Sequence, residues 1–530
     1  MFILHSIVQR YLQKSRGRFY VAFVDFSTAF DCIDRSLLLK KLKRYGMTDE
    51  LLNILKNIYS DVRATVRNNN EFSDDILSSV GLKQGCKLSP TLFSIYINDL
   101  VDRINNDPRI KGIQIHPAIL QISILLFADD IALISNTVKG LQDLLYILED
   151  FTNQSNMNVN LSKTQIVVFR KGGPLKWYEK WKYKGEELKT VSDYKYLGVV
   201  FNSTLSFNKQ SKVCYVAAKG VLFSIWKSLQ NVRPLSSDIF FKIFDTKIMP
   251  LITYGSEIWM SDSQIEDMEK IQILACKLFL GVRLSAVNKM CLGECGRFPI
   301  SINITIKRIK YWLRLCRLED HKIAKKCLKM VEIDDEKGKV NFASKIRTIL
   351  NETGFGYVWQ NKNVGNDKLF FILFEQRLKD IAQQNWSAFL DSCTIAHHYK
   401  HFKQTIDLTP HLSMKINSKL RYELTNFRLG THKLFIDEGR QRNVPREIRI
   451  CKLCPLSAIE DELHFLLYCP VYEDIRTKFI KQKYLEHRNE FIFYSLMSNK
   501  NEQEQMDIAR YIYFAKKKRQ KLLDVMNSTV

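Results

Sequence analysis

Asp129 and Asp130 lie side by side in QISILLFADDIALIS (121–135), between two apolar runs that read as buried strands. Asp25 closes a third such run, RFYVAFVDF (18–26), in the same way. Two acids at a hairpin tip are by default exposed turn residues. Here the turn lacks the Gly or Asn that tight hairpins prefer, and the flanking strands are apolar on both faces. If the two strands are neighbours, Asp25, Asp129 and Asp130 converge on one point, where three carboxylates repel one another unless positive charge intervenes. Two Mg²⁺ ions would relieve this, because Mg²⁺ takes oxygen ligands and keeps positions open for substrate phosphates. Ions paired at roughly 3.5–4 Å can activate a 3′-hydroxyl and stabilise a leaving pyrophosphate, the chemistry of nucleotidyl transfer.

A second constellation lies in CKLCPLSAIEDELHFLLYCP, which gives Cys451-x₂-Cys454-x₉-His464-x₄-Cys469. Three thiolates and an imidazole suit a closed tetrahedral site for one structural Zn²⁺. Cys451 and Cys454 would form a knuckle, with His464 and Cys469 on or beside a short helix ended by Pro470. The plainer alternative is four unrelated core residues. In TIKRIKYWLRLCRLE (305–319), Lys307, Lys310, Arg314 and Arg317 line one helical face, either a phosphate-tracking stripe or a solvated one. KKKRQK (516–521) reads as a nuclear-entry patch or a nucleic-acid contact, with the same plain alternative.

The elements that must position these groups alternate. RFYVAFVDF is a strand, and Asp34 or Ser36 can cap the helix SLLLKKLKRY, which Gly46 can stop. Thr48 opens a helix with Leu51, Leu52, Leu55 and Ile58 on one face, and ATVRNNNEFSDDILSSV reads as a hairpin turning at Asn68–Asn70. Ser89 before Pro90 is a cap and first-turn pair for a helix carrying Phe93, Tyr96, Ile97 and Leu100. After the acidic hairpin, Leu141, Leu144, Leu145, Leu148 and Phe151 mark another helix, and TQIVVF and YLGVVF are strands. This order predicts an α+β fold, a small antiparallel sheet with helices on one face, giving way beyond residue 205 to a mostly α-helical region.

The chain has 530 residues, 46% of them apolar, enough for several cores. Its net charge of +24 favours a polyanionic partner, nucleic acid foremost. Twelve scattered cysteines suit a reducing compartment. No uncharged apolar run reaches membrane-spanning length, since acids interrupt ILLFADDIALI, and the N-terminus lacks the marks of a signal peptide. A soluble protein, not a membrane one, is expected.

FVDFSTAFD, GLKQGCKLSPTLF, FADD, LSKTQ and YLGVVF follow one another in the order of a polymerase palm. On these motifs the chain resembles the reverse transcriptases of non-LTR (LINE-type) retrotransposons, of the jockey-like group. ITYGSEIW (252–259) and LGECGRFP (292–299) are similar to the downstream region of the same elements, which argues against a group II intron maturase or a telomerase. The resemblance implies RNA-directed DNA synthesis from dNTPs, on an RNA template, primed by nicked target DNA. It makes Asp25, Asp129 and Asp130 the Mg²⁺ ligands and Lys163 the proton donor to pyrophosphate. Phe30 would stand against the sugar 2′ position, Gln84 and Gly85 would face the incoming nucleotide and template, and Tyr196, Leu197 and Gly198 would form the primer grip. A similar Cys/His cluster occurs near the end of this family.

The implied organisation is a palm at 1–204 with the fingers largely missing, a thumb and following region at 205–300, and a helical connector at 301–440. A CCHC zinc-knuckle-like region at 441–475 and a basic helical tail at 476–530 complete it. Thr28 and Lys87 depart from the family's usual Lys and Pro. The family's fingers and upstream endonuclease would precede Asp25, so Met1 reads as an internal start or a truncated gene model. A weak or inactive remnant that only binds nucleic acid is the competing expectation. Residence would be nuclear, with cytoplasmic transit.

Overall fold

Residues 1–528 are described by a computed structural model, apart from 16, 70, 117–119 and 231–234. They fall into two units, Met1–Gln210 with Trp312–Thr348, and Ser211–Tyr311 with Ile349–Val530. The stretch 301–440, read from sequence as one connector, contributes to both.

The first unit is built round β1 (Arg18–Val24), whose seven residues are apolar after Arg18 because both of its faces are buried. It is the middle strand of five. With β2 (Ile124–Phe127), β3 (Asp130–Ser135), β4 (Gln165–Arg170) and β5 (Lys189–Val191), the order is β5-β4-β1-β3-β2. Only β4 and β5 pair in parallel. Tyr20, Ala22 and Val24 face a core shared with α2 (Arg35–Arg44), α4 (Ser89–Asn106) and α5 (Val138–Gln154). α3 (Asp49–Ser60) lies against α2.

The expectation of helices on one face needs correction. α1 (Phe2–Leu12) packs on the opposite face, with Tyr11 and Phe19 rings 5.0 Å apart. Beside it, the hairpin Asp193–Tyr196/Val199–Asn202 lays Tyr194 flat on Phe23 at 4.2 Å. A strand of this composition has two apolar faces to cover, so a single helical layer could not suffice.

Local signals fared unevenly. Asp34 caps α2 by accepting from the Leu37 amide at 3.0 Å, and Thr137 caps α5 by accepting from Gly140 at 3.0 Å. Ser89 is not the cap of α4: Leu88 holds that position and the Ser89 hydroxyl donates to the Lys83 carbonyl at 2.7 Å. Pairs Arg67–Asn68/Glu71–Phe72 and Arg63–Ala64/Ile76–Leu77 form the ribbon expected there, although Asn70 of its turn lies outside the described residues.

In the second unit every regular element described is helical. Its C-terminal core gathers Phe465, Leu466, Tyr472 and Tyr511 with the helices Ser418–Arg428 and Glu502–Ser528. Glu294 and Arg428, 0% and 2% exposed by side chain, make a two-pronged ion pair at 2.9 and 3.1 Å. Among the described residues no helix is long and apolar enough to cross a membrane.

Candidate active site

Register brings the acids together. β1 and β3 are antiparallel with Val24 opposite Ile131, so Asp25 and Asp130, one residue further out, face each other across the strand ends. β2 and β3 close with Phe127 opposite Asp130, leaving Ala128 and Asp129 as a two-residue turn. Ala128 takes φ of +51°, a left-handed conformation that costs about 1–2 kcal/mol for a residue with a Cβ. The tightness of that turn holds Asp129 next to the other two. Asp129 and Asp130 are exposed and Asp25 is half-buried. The Asp130 carboxyl is pushed above the usual range, first by partial burial, then by Asp129 and Asp25.

Asp25 is fixed from its other side by residues to which sequence reasoning gave no role. Its amide donates to Thr164 Oγ1 at 3.1 Å, and its carbonyl accepts from the Asn160 amide at 2.8 Å. Thr164 lies inside the LSKTQ motif, buried between polar Lys163 and Gln165, and nothing local in the sequence singled it out. The next residue back along the chain, Lys163, puts Nζ 3.7 Å from Asp25 Oδ2 while staying exposed.

The carboxylates open on the face that carries Phe23. There Tyr196 is buried, its ring 5.1 Å from Phe23, at the start of the turn Leu197–Gly198 (φ +49° and +80°). Burial, then Asp130 and Asp25, push the Tyr194 phenol up to about 12.

Gln84 and Gly85 follow a loop tethered to the segment just after Asp25. The Gly81 amide donates to Ile33 O and the Leu82 amide to Phe30 O, both at 2.8 Å. Arg35 donates to the carbonyls of Tyr59 (3.1 Å), Ser78 (2.5 Å), Val80 (2.9 Å) and Gly81 (2.9 Å), locking the loop's start to α2. Gly81 has φ of +84°, and a Cβ there would stand 2.7 Å from the Asp31 carbonyl oxygen. Gln84 Nε2 donates to Asp31 Oδ1 at 3.3 Å. Phe30 is partly buried and stacks on Phe93, centroids 4.6 Å apart.

The second constellation does assemble. Ligand atoms of Cys451, Cys454, His464 and Cys469 all lie within 4.8 Å of one another. Among the described residues this is the one group of three or more His, Cys, Asp or Glu gathered tightly enough to hold a metal, so the three aspartates share a strand end without that closeness. The Cys451 amide bonds to Ala458, folding the knuckle, and His464 begins a one-turn helix that stops at Cys469 before Pro470. Hydrogen bonding to Cys469 and His464 pulls the Cys451 thiol down to about 4 against its burial.

Lys307, Lys310, Arg314 and Arg317 are all exposed, in or just past the helix Ile300–Cys316. Lys307 Nζ donates to Thr253 Oγ1 at 2.6 Å, and Lys310 sits over the Phe371 ring at 5.0 Å. In 516–521 the bases are more fully committed. Arg519 grips buried Glu460 with two bonds of 2.7 Å, Lys516 pairs with Glu423, and Lys518 with Asp474 at 2.8 Å.

Residues 3–201 match the family model of reverse transcriptase (RNA-dependent DNA polymerase). The chain is 25% identical over 254 residues to a Pol polyprotein of the type-1 retrotransposable element R2 of Popillia japonica, covering 46% of this chain and 39% of that one. It is 24% identical over 283 residues to the RNA-directed DNA polymerase from mobile element jockey of Drosophila funebris, covering 52% and 30%. To a probable RNA-directed DNA polymerase from transposon X-element of Drosophila melanogaster it is 24% identical over 291 residues, covering 52% and 30%. The chain thus spans well under half the length of these relatives. Carboxylates at the ends of the central strands thus lie within the stretch that matches the reverse transcriptase family model, and the chain is similar to these retrotransposon polymerases.

Proposed function

We propose that the chain is an RNA-directed DNA polymerase that extends a primer 3′-hydroxyl with dNTPs on an RNA template. The observation that carries this reading is the gathering of Asp25, Asp129 and Asp130 at one end of the sheet within residues matching the reverse transcriptase family. An all-oxygen donor set in which Asp129 and Asp25 raise the proton affinity of Asp130 suits hard divalent cations, so Asp25, Asp129 and Asp130 would hold two Mg²⁺. Those ions, when bound, supply the charge that activates the hydroxyl and stabilises pyrophosphate.

The chain's own groups do the rest. Lys163, beside Asp25, gives a proton to the departing pyrophosphate. Gln84 and Gly85, held by the Arg35 tether, face the incoming nucleotide and template. Phe30, backed by Phe93, stands against the sugar 2′ position and excludes ribonucleotides. Tyr196, Leu197 and Gly198 hold the primer end from the Phe23 face. In this reading 1–204 is the palm, 205–300 the thumb and following region, 301–440 the connector, 441–475 the zinc knuckle and 476–530 the tail. Cys451, Cys454, His464 and Cys469 would hold one structural Zn²⁺, and Lys307, Lys310, Arg314 and Arg317 would touch nucleic acid. Target DNA is the primer, and the nucleus the place of work.

Primer extension on an RNA template with Mg²⁺ tests the reading. Extension by the wild type, abolished in Asp129→Ala, supports it; extension that survives Asp129→Ala refutes the assignment of the acids. Binding of the template without extension, by this chain and by a version joined to the upstream part of a relative, would leave a binding remnant.

A further inference from the structure

The segment between β4 and β5 is held hard yet presents a bare tryptophan. Trp177 is 86% exposed, with Leu175 and Tyr178 at 41% and 42% beside it. Such exposure usually marks a floppy loop, and this loop is not one. Buried Glu179 accepts from Arg18 Nη1 at 2.5 and 2.6 Å, from Tyr20 Oη at 3.1 Å and from the Lys176 amide at 2.7 Å. Arg18 also reaches the Pro174 carbonyl at 3.2 Å. Two residues past Glu179, buried Trp181 donates from Nε1 to Val138 O at 3.0 Å. Gln142 brackets Lys182 through both its amide and its carbonyl, and the Lys184 amide bonds to Glu149 at 3.1 Å.

From Glu179 to Lys184 the burial alternates. Glu179, Trp181 and Tyr183 point in; Lys180, Lys182 and Lys184 point out. Extended backbone spaces Lys180 and Lys182 about 6.6 Å apart, and Lys184 follows at the turn with φ of +47°. Lys176 adds a fourth, over the Tyr178 ring at 5.4 Å, while the exposed acids nearby are Glu186 and Glu187, the latter 3.7 Å from Lys180. A pre-set aromatic flanked by several exposed cations fits a strand with phosphates and free base faces. The loop is anchored at Arg18, the opposite end of β1 from Asp25, so about 20 Å of strand separates it from the acids.

We propose that residues 171–184 form an accessory docking strip for single-stranded nucleic acid, with Trp177 stacking on a base and Lys176, Lys180, Lys182 and Lys184 on phosphates. The strip works apart from the polymerase site and does not depend on it.

The probe is a fluorescently labelled oligouridine of twenty nucleotides, titrated against the full chain by anisotropy at several salt concentrations. Trp177→Ala is expected to weaken binding roughly tenfold and Trp177→Phe to keep most of it. Lys180→Gln/Lys182→Gln/Lys184→Gln should flatten the salt slope by about 2. A duplex of the same length, its bases already stacked, should bind Trp177→Ala and wild type alike. Ultraviolet cross-linking of the oligouridine should mark the peptide containing Trp177. Asp129→Ala should bind the oligouridine as wild type does, so loss of polymerase activity and loss of this strip are separately visible. The proposal falls if Trp177→Ala binds within twofold of wild type. It falls equally if duplex and single strand lose affinity together, or if Trp177→Ala loses binding to phosphatidylserine vesicles instead.

Discussion

Asp130→Asn should act in opposite directions with and without divalent metal. Asp130 faces Asp25 across the strand ends and adjoins Asp129, and burial and these two charges raise its carboxyl above the ordinary range. At about 6 Å and in nearly full solvent screening, each neighbour costs roughly 0.7 kcal/mol, and salt halves the pair to under about 1 kcal/mol. Removing the charge should therefore raise the melting temperature in EDTA at pH 7 by about 2 °C. The sign with pH follows from a raised carboxylate. The penalty is present while the unfolded chain is ionised and the folded site resists ionisation, and it vanishes once pH falls below the ordinary carboxylate value, where both states are protonated. The gain from Asn should thus be visible at pH 7 and gone near pH 3. With Mg²⁺ the order reverses. A wild type at a hundred times its dissociation constant gains about 2.7 kcal/mol, most of which Asp130→Asn forfeits. Differential scanning fluorimetry across EDTA and Mg²⁺ measures both limbs. A variant that melts lower than wild type in EDTA, or keeps the full Mg²⁺ increment, would refute the argument that three like charges share one cation site.

Gly81→Ala should lower primer extension and cost at least about 1–2 kcal/mol, since the new Cβ meets the Asp31 carbonyl and φ is positive; proteolysis focused on residues 78–88 would register the displaced loop. Arg428→Ala should destabilise the second unit by about 3–5 kcal/mol in denaturant titration, because it strands buried Glu294. Burial opposes ionisation of Glu294 but Arg428 overrides it and holds the carboxyl down to about 2, so this pair's stabilisation is present above pH 4.5 and lost as pH falls towards 2. Elemental analysis should find one zinc per chain, lost in Cys451→Ser/Cys454→Ser; unchanged metal content in that variant would remove the Cys/His assignment.

What the sequence made legible was what depends on local pattern. Apolar runs ending in Asp25 and in Asp129–Asp130 announced strands with acids at their ends, and Asp34 and the Leu141–Phe151 stripe marked helices that form as expected. The Cys/His cluster gathers as its spacing suggested, because all four side chains lie within residues 451–469. What depends on distant register stayed hidden. Thr164 and Asn160 support Asp25 from 139 and 135 positions away, respectively, which nothing in their neighbourhood signals. α1 escaped notice because its apolar residues precede the first strand without a side-chain cap, and its role is to cover a sheet face that the sequence does not announce as open. The run at 516–521 misleads most. Its composition suggests free charge, yet Arg519 is almost wholly buried on Glu460, an acid 59 residues earlier.

That helix has a bearing on the order in which the protein is made. Tyr511 donates to the Phe465 carbonyl, and Arg519, Lys516 and Lys518 fasten the same helix to Glu460, Glu423 and Asp474. Cys451, Cys454, His464 and Cys469 leave the ribosome before it does. At about 5–20 residues per second, the four side chains spend several seconds translated before that helix is complete. During that interval the thiols are open to zinc and to oxidants alike. The completed helix then shuts over a core in which Cys469 is wholly buried. If these four side chains take zinc, that interval is when all of them are open to it, since in the finished fold Cys451, His464 and Cys469 are buried and only Cys454 stays half-exposed.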